Sequence, residues 1–152
     1  GDTIANLQNL TGSVVTTFVR DYDDTTEEYA GHKISVDQNV DSSGTVNFYV
    51  AAHAKTAASS KNLGWTFNHV DLASNSTDYD AAYTAEDSGA IAVSATQDVV
   101  TIFTWSETIS NMGWTAGDTV YFKVSRDPSV TDDLTGDARM HWFKMTIPVT
   151  EA

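Results

Sequence analysis

Apolar and polar residues alternate with a period of two along most of this chain, the pattern of strands with one buried and one wet face. Between 119 and 125, Val120, Phe122 and Val124 alternate with Thr119, Tyr121, Lys123 and Ser125. Between 45 and 54, Val46, Phe48, Val50 and Ala52 point inward, and Asn47, Tyr49, Ala51 and His53 outward. The last run, 138–149, places Phe143, Met145, Ile147 and Val149 on one face. Further strands are predicted over 14–21, 32–36, 63–70, 91–94 and 99–105, which makes eight. Turns are marked by Asp41-Ser42-Ser43-Gly44 and by Pro128, which has no N–H for a ladder. The polar stretch 73–88 reads as a loop, with a minor edge strand at Tyr83 at most. Helix signals are scarce. Ile4, Leu7 and Leu10, three apart behind a cap at Asp2 or Thr3, read as one short helical turn or an arm. The pattern predicts an all-β antiparallel sandwich: an amino-terminal arm over 1–12 and one domain over 13–152.

Composition narrows this reading. A chain of 152 residues with 41% hydrophobic side chains can bury one core without staples. There is no cysteine, hence no disulfide and no thiolate metal site. No apolar run approaches the ~20 residues needed to span a bilayer, no signal peptide is evident, and Gly1 in place of an initiator Met reads as a trimmed or processed chain. Eight Lys and Arg against 21 Asp and Glu give a net charge of −13. Such a surface repels phosphate backbones and anionic lipid, so neither nucleic acid nor a membrane is an expected partner. Salt relieves the self-repulsion, the Debye length falling to about 3 Å at 1 M, which fits a saline source.

The candidate chemistry is sparse. Asp127, Asp132, Asp133 and Asp137 make the best metal candidate, because Ca²⁺ takes its oxygens from carboxylates and carbonyls. A second acidic run, Asp21, Asp23, Asp24, Glu27 and Glu28, has the same character. Neither follows the EF-hand order, so turn-forming and solvated carboxylates are the preferred reading and Ca²⁺ the alternative. Four histidines, His32, His53, His69 and His141, sit on different predicted strands without zinc-site spacing. His53 falls on an exposed face, whereas His69 lines up with Trp65 and Phe67 as a half-buried, satisfied histidine. No G-x-S-x-G elbow, cysteine nucleophile or phosphate loop is present, so a non-enzymatic role is expected. A hydrolase using paired carboxylates is the weaker alternative.

Aromatic residues supply another idea. Trp65, Trp105, Trp114, Trp142, Tyr49, Tyr79, Tyr83 and Tyr121 can stack on sugars if they share an exposed face. Tyr49 and Tyr121 lie on outward faces and Trp114 in a loop beside Gly113, so these three are candidate ligand or interface residues. Asn9-Leu10-Thr11 and Asn75-Ser76-Thr77 fit the N-glycosylation pattern.

One segment carries a resemblance. Gly117-Asp118, the strand with Val120 and Phe122, Arg126-Asp127, a polar loop, Leu134-Thr135-Gly136-Asp137-Ala138 and Arg139 follow one another in a fixed order. This order resembles the closing motif of jelly-roll domains in virion proteins of tailed phages and related archaeal viruses. Such domains occur in tail fibres, head fibres and capsid-decoration proteins. The match departs at Pro128 and at His141-Trp142, where small or aliphatic residues are usual. Within the motif, Gly136 suits a tight turn, and Arg126 and Arg139 can pair with Asp132, Asp133 or Asp137 and stiffen the loop.

The resemblance implies a jelly roll of about eight strands and a structural protein on the virion surface. It implies self-association, as a homotrimer, and contact with major capsid or tail proteins. The amino-terminal Ile4, Leu7 and Leu10 would then form the attaching arm. The rival expectation is a carbohydrate-binding module or a receptor-binding fibre tip that takes a cell-surface glycan.

Overall fold

The computed structural model describes residues 3–4, 6–11, 16–56, 60–72, 82–127 and 132–150, with side chains from Arg20 onward. The strands are β1 (Thr3–Ile4), β2 (Asn6–Thr11), β3 (Thr16–Tyr22), β4 (Glu28–Ser35), β5 (Thr45–Ala54) and β6 (Asn62–Leu63). They continue with β7 (Trp65–Leu72), β8 (Thr84–Asp87), β9 (Ile91–Ala92), β10 (Thr101–Thr108), β11 (Thr119–Arg126) and β12 (Ala138–Thr146). A single turn of helix, α1 (Ile109–Met112), separates β10 from β11. Thr108 caps it by accepting the Asn111 N–H, and Gly113 ends it.

Two sheets face each other. One runs β4-β11-β7-β8 with β1 added beside β4; the other runs β10-β5-β12-β3 with β2 added beside β3. Most connections after β3 cross from one sheet to the other, and the two strand orders are those of a jelly roll. Pairing is antiparallel throughout the described ladders except β1 with β4.

The alternation foreseen along the chain becomes the core. Val46, Phe48, Val50 and Ala52 of β5 are buried, and so are Val120 and Val124 of β11. Phe48 meets Phe67 of the opposite sheet with ring centroids 4.6 Å apart, and Phe67 also stacks on Phe122 and Phe143. Tyr22 meets the edge of Trp65 at 5.1 Å. Rings thus bridge the layers, and most of the driving force is apolar area removed from water.

Three expectations need correction. The amino-terminal segment is strand and not a helical turn: β2 pairs along β3 from Asn6↔Asp21 to Thr11↔Thr16. Backbone partners from the sheet override a spacing of three apolar residues. Thr84–Asp87 is a full strand beside β7 where a loop with a minor strand is predicted, because its polar residues bond the edge; Thr66 donates to Asp87. His53 is buried and not exposed. The β5–β12 register shifts between Met140 and Trp142, and this bulge lets His141 reach His53, their ring nitrogens 2.8 Å apart.

Replacing Phe67 by Ala removes the ring that joins both layers, and an unfolding free energy lower by about 3–5 kcal/mol is expected. Urea titration of the two proteins at high salt measures it; a loss below about 1 kcal/mol would contradict this packing.

Candidate functional surfaces

The acidic closing loop is held by one buried guanidinium. Arg126 ends β11 with 1% exposure, and Asp132 beside it is equally buried. Its Nε donates to Asp132 Oδ2 at 2.7 Å and its Nη2 to Asp132 Oδ1 at 3.0 Å, a bidentate fork. Nη2 also donates to the Leu134 carbonyl, and Nη1 to the carbonyls of Gly136 (2.7 Å) and Tyr22 (3.3 Å). Five N–H donors meet five acceptors, so the charge is buried without an orphan.

The other loop acids are also engaged. Gly136 takes φ +88°, which only glycine adopts freely, and gives its N–H to Asp24 at 2.6 Å. Asp133 accepts the Asn62 N–H, and Asp137 pairs with Lys55 at 2.8 Å. The expected pairing of Arg126 with Asp132 is present, whereas Arg139 reaches across to Asp21 on β3 at 3.0 Å. Asp132, Asp133 and Asp137 thus each have a different partner within the fold. Among the described residues no group of three or more His, Asp or Glu is placed to hold a metal ion. In the second acidic run Asp23 caps its own turn by accepting the Thr25 hydroxyl and the Thr25 and Thr26 N–H groups, and these bonds lower its pKa.

Trp114 does not lie on an outer surface as a ligand or interface residue would. At 2% exposure it lies in the core, and its indole N–H donates to His69 Nδ1 at 3.2 Å. This leaves His69 to face Glu86 through Nε2, 3.5 Å away. Burial lowers the His69 pKa to about 4, and burial together with neighbouring carboxylates raises that of Glu86. Trp65 and Trp105 are buried as well, and Trp142 alone among the tryptophans is exposed, at 44%.

The remaining candidates lie on the outer faces. In the β12-β5-β10 sheet Trp142, Ala51 and Ile102 stand opposite one another in a row. Ile102 is 51% exposed, and Val99 and Val100, which lead into β10, are exposed too. In the adjacent row Tyr49 carries the Lys144 ammonium 5.4 Å above its ring. Trp142, which the sequence offers as one of several sugar-stacking rings, lies outward as alternation from Phe143 gives it. Ile4, Leu7 and Leu10 fall at strand positions opposite Tyr29, Arg20 and Thr17. Asn9 pairs with Phe18, whereas Pro128, Asn75 and Tyr79 lie outside the described residues.

Tyr121 belongs to a groove of about 660 Å³ on the β4–β11 face. Its row on β4 runs Tyr29, Gly31, Lys33, opposite Ser125, Lys123 and Tyr121 of β11. The Lys123 ammonium sits between two rings, 5.3 Å from Tyr29 and 5.1 Å from Tyr83, and burial lowers its pKa. Gly31 keeps the middle of the row open, since a Cβ there would lie 3.0 Å from the Phe122 carbonyl oxygen. Arg20 of β3 closes one side. Compared with known proteins, the chain matches no family model and no curated protein.

Two measurements check this electrostatic description. Arg126→Met should lower the unfolding free energy by about 3–5 kcal/mol, since Asp132 and three carbonyls lose their donor, and adding Asp132→Leu should restore much of it. A loss under about 1 kcal/mol in chemical denaturation would show that the fork is not holding the loop. For His69, the unfolded state takes up its proton near pH 6.5 and the folded state only near 4. Stability from this group is therefore full above 6.5, falls as the pH drops through that window, and levels off below it. Glu86, with its raised pKa, works the opposite way, losing stability as the pH rises above its ordinary value. His69→Gln should flatten the fall between pH 6.5 and 4 in thermal melts; an unchanged slope would contradict the assignment.

Proposed function

We propose that this chain is a non-enzymatic virion structural protein, a jelly-roll domain of the capsid-decoration or fibre kind that works through its outer surface. The reading rests first on the resemblance of residues 117–140, whose Arg126, Asp132 and Gly136 have an architectural use in the fold. The observation that carries it is the pair Trp142 and Ile102, large apolar side chains exposed on either side of the buried Ala51 in one row of an otherwise acidic protein. Contiguous exposed apolar surface marks a contact site, and Trp anchors are enriched in such contacts.

The strip serves contact between copies, in a homotrimer, and the assembled surface seats on capsid or tail proteins at the outside of the particle. Net repulsion at −13 opposes assembly in dilute buffer, so salt strengthens it. A second reading, recognition of a carbohydrate, is favoured by the groove beside Tyr121, which is separate from this strip.

Sedimentation velocity in 1 M salt is the test. A species of three chain masses is expected, with Trp142→Ser plus Ile102→Ser giving monomer of unchanged circular dichroism. A monomeric wild-type protein at 100 µM (about the upper working range for such contacts), or a trimer indifferent to both changes, would overturn the reading.

A further inference from the structure

The groove on the β4–β11 face has a charge that the rest of the chain does not. The protein has eight Lys and Arg against 21 Asp and Glu, yet three of the eight, Arg20, Lys33 and Lys123, line this one groove. Among the described residues no Asp or Glu lines it. Random placement of so acidic a composition would put acids there first, so the local inversion marks a site for an anion. Three tyrosines, Tyr29, Tyr83 and Tyr121, share the same lining.

From this arrangement the geometry points to a binding site for an acidic oligosaccharide, one built of sugars that carry carboxylates. The assignment follows from the two kinds of surface that meet here. Phenol rings offer flat apolar faces to the C–H face of a pyranose, with hydroxyls at their rims to bond its hydroxyls. The exposed Lys33 ammonium pairs with the carboxylate as a point charge, and Arg20 at the side of the groove adds positive field. Gly31 provides the notch: Tyr29 and Lys33 flank it along the strand and Lys123 faces it across the ladder. A side chain at 31 would fill the place where a sugar ring lies between Tyr29 and Lys33. Lys123, already held by two rings, fixes the positions of Tyr29 and Tyr83 and contributes a field without having to move. An acidic peptide would use the cations but leave the tyrosine faces without a flat partner, so the sugar is favoured. The site depends on the groove alone and stands whether the protein is a trimer or a monomer.

The test titrates the intact protein with oligogalacturonate of about six sugars, a length matched to a groove of this size. The neutral oligosaccharide of the same length and a hexaglutamate peptide are the controls, with NMR or calorimetry as readout at 0.1 M salt. Saturable binding of the oligouronate is expected, weakening with added salt, with the neutral sugar and the peptide at least tenfold weaker. Lys33→Glu, on an exposed strand position, should weaken the oligouronate about tenfold or more, as reversing one paired charge does. Tyr121→Ala should weaken it about five- to tenfold while leaving any binding of hexaglutamate unchanged. Thermal melts of both variants establish that they remain folded; should either fail to fold, Lys33→Gln and Tyr121→Leu replace them. No oligouronate binding at millimolar concentration, equal binding of the neutral sugar, or tighter binding of the peptide would each overturn the assignment.

Discussion

The whole carboxy-terminal half of the sandwich closes on the guanidinium of Arg126. It ends β11, and in the space of eleven residues the chain must turn, cross to the other sheet and begin β12. A loop of that kind exposes carbonyls and carboxylates next to the core, where unsatisfied groups are expensive. Arg126 supplies all five of its donors to that problem: two to Asp132, two to carbonyls of the loop, and one to Tyr22 at the end of β3. The last bond ties the loop to the strand that β12 will join, since Ala138 pairs with Tyr22. The same residues therefore solve a folding problem and set the register of the last strand.

This constraint explains which parts of the fold were legible. Strands with one wet face, such as 119–126 and 45–54, declare themselves by alternation, and the Arg-Asp and Thr-Gly-Asp-Ala landmarks placed the loop between the two closing strands. The pairing of Arg126 with Asp132 was readable because the two are close in sequence, whereas the pairing of Arg139 with Asp21 depends on strand order. β2 and β8 escaped because their hydrogen bonds come from the neighbour's backbone and their side chains carry no periodic signal. Trp114 does lie in a loop beside Gly113, the residue that ends α1, but its indole points inward against His69 and not to the surface. A bulge between Met140 and Trp142 brings His141 against His53, and no local pattern announces a bulge.

The acids are distributed by the same logic. Those near the closing loop are consumed by Arg126, Lys55, Arg139 and backbone N–H groups, so their number in the sequence overstates their availability. What remains for interaction is the outside: an apolar row on one sheet and a cationic, tyrosine-lined groove on the other. The two surfaces differ in chemistry and lie on different sheets, so the proposed contact between copies and the proposed ligand site do not compete for one face. That division needs rigid sheets, and the aromatic stack through Phe48, Phe67 and Phe122 together with the Arg126 fork supplies the rigidity.

Nitrogen-15 NMR of the Arg126 side chain tests the central claim most directly. A guanidinium with five fixed acceptors should give an Nε–H and separate Nη–H signals that exchange slowly with water and do not respond to chelator or to added Ca²⁺. One averaged, rapidly exchanging signal, or a shift at Asp132 on Ca²⁺ titration, would contradict it.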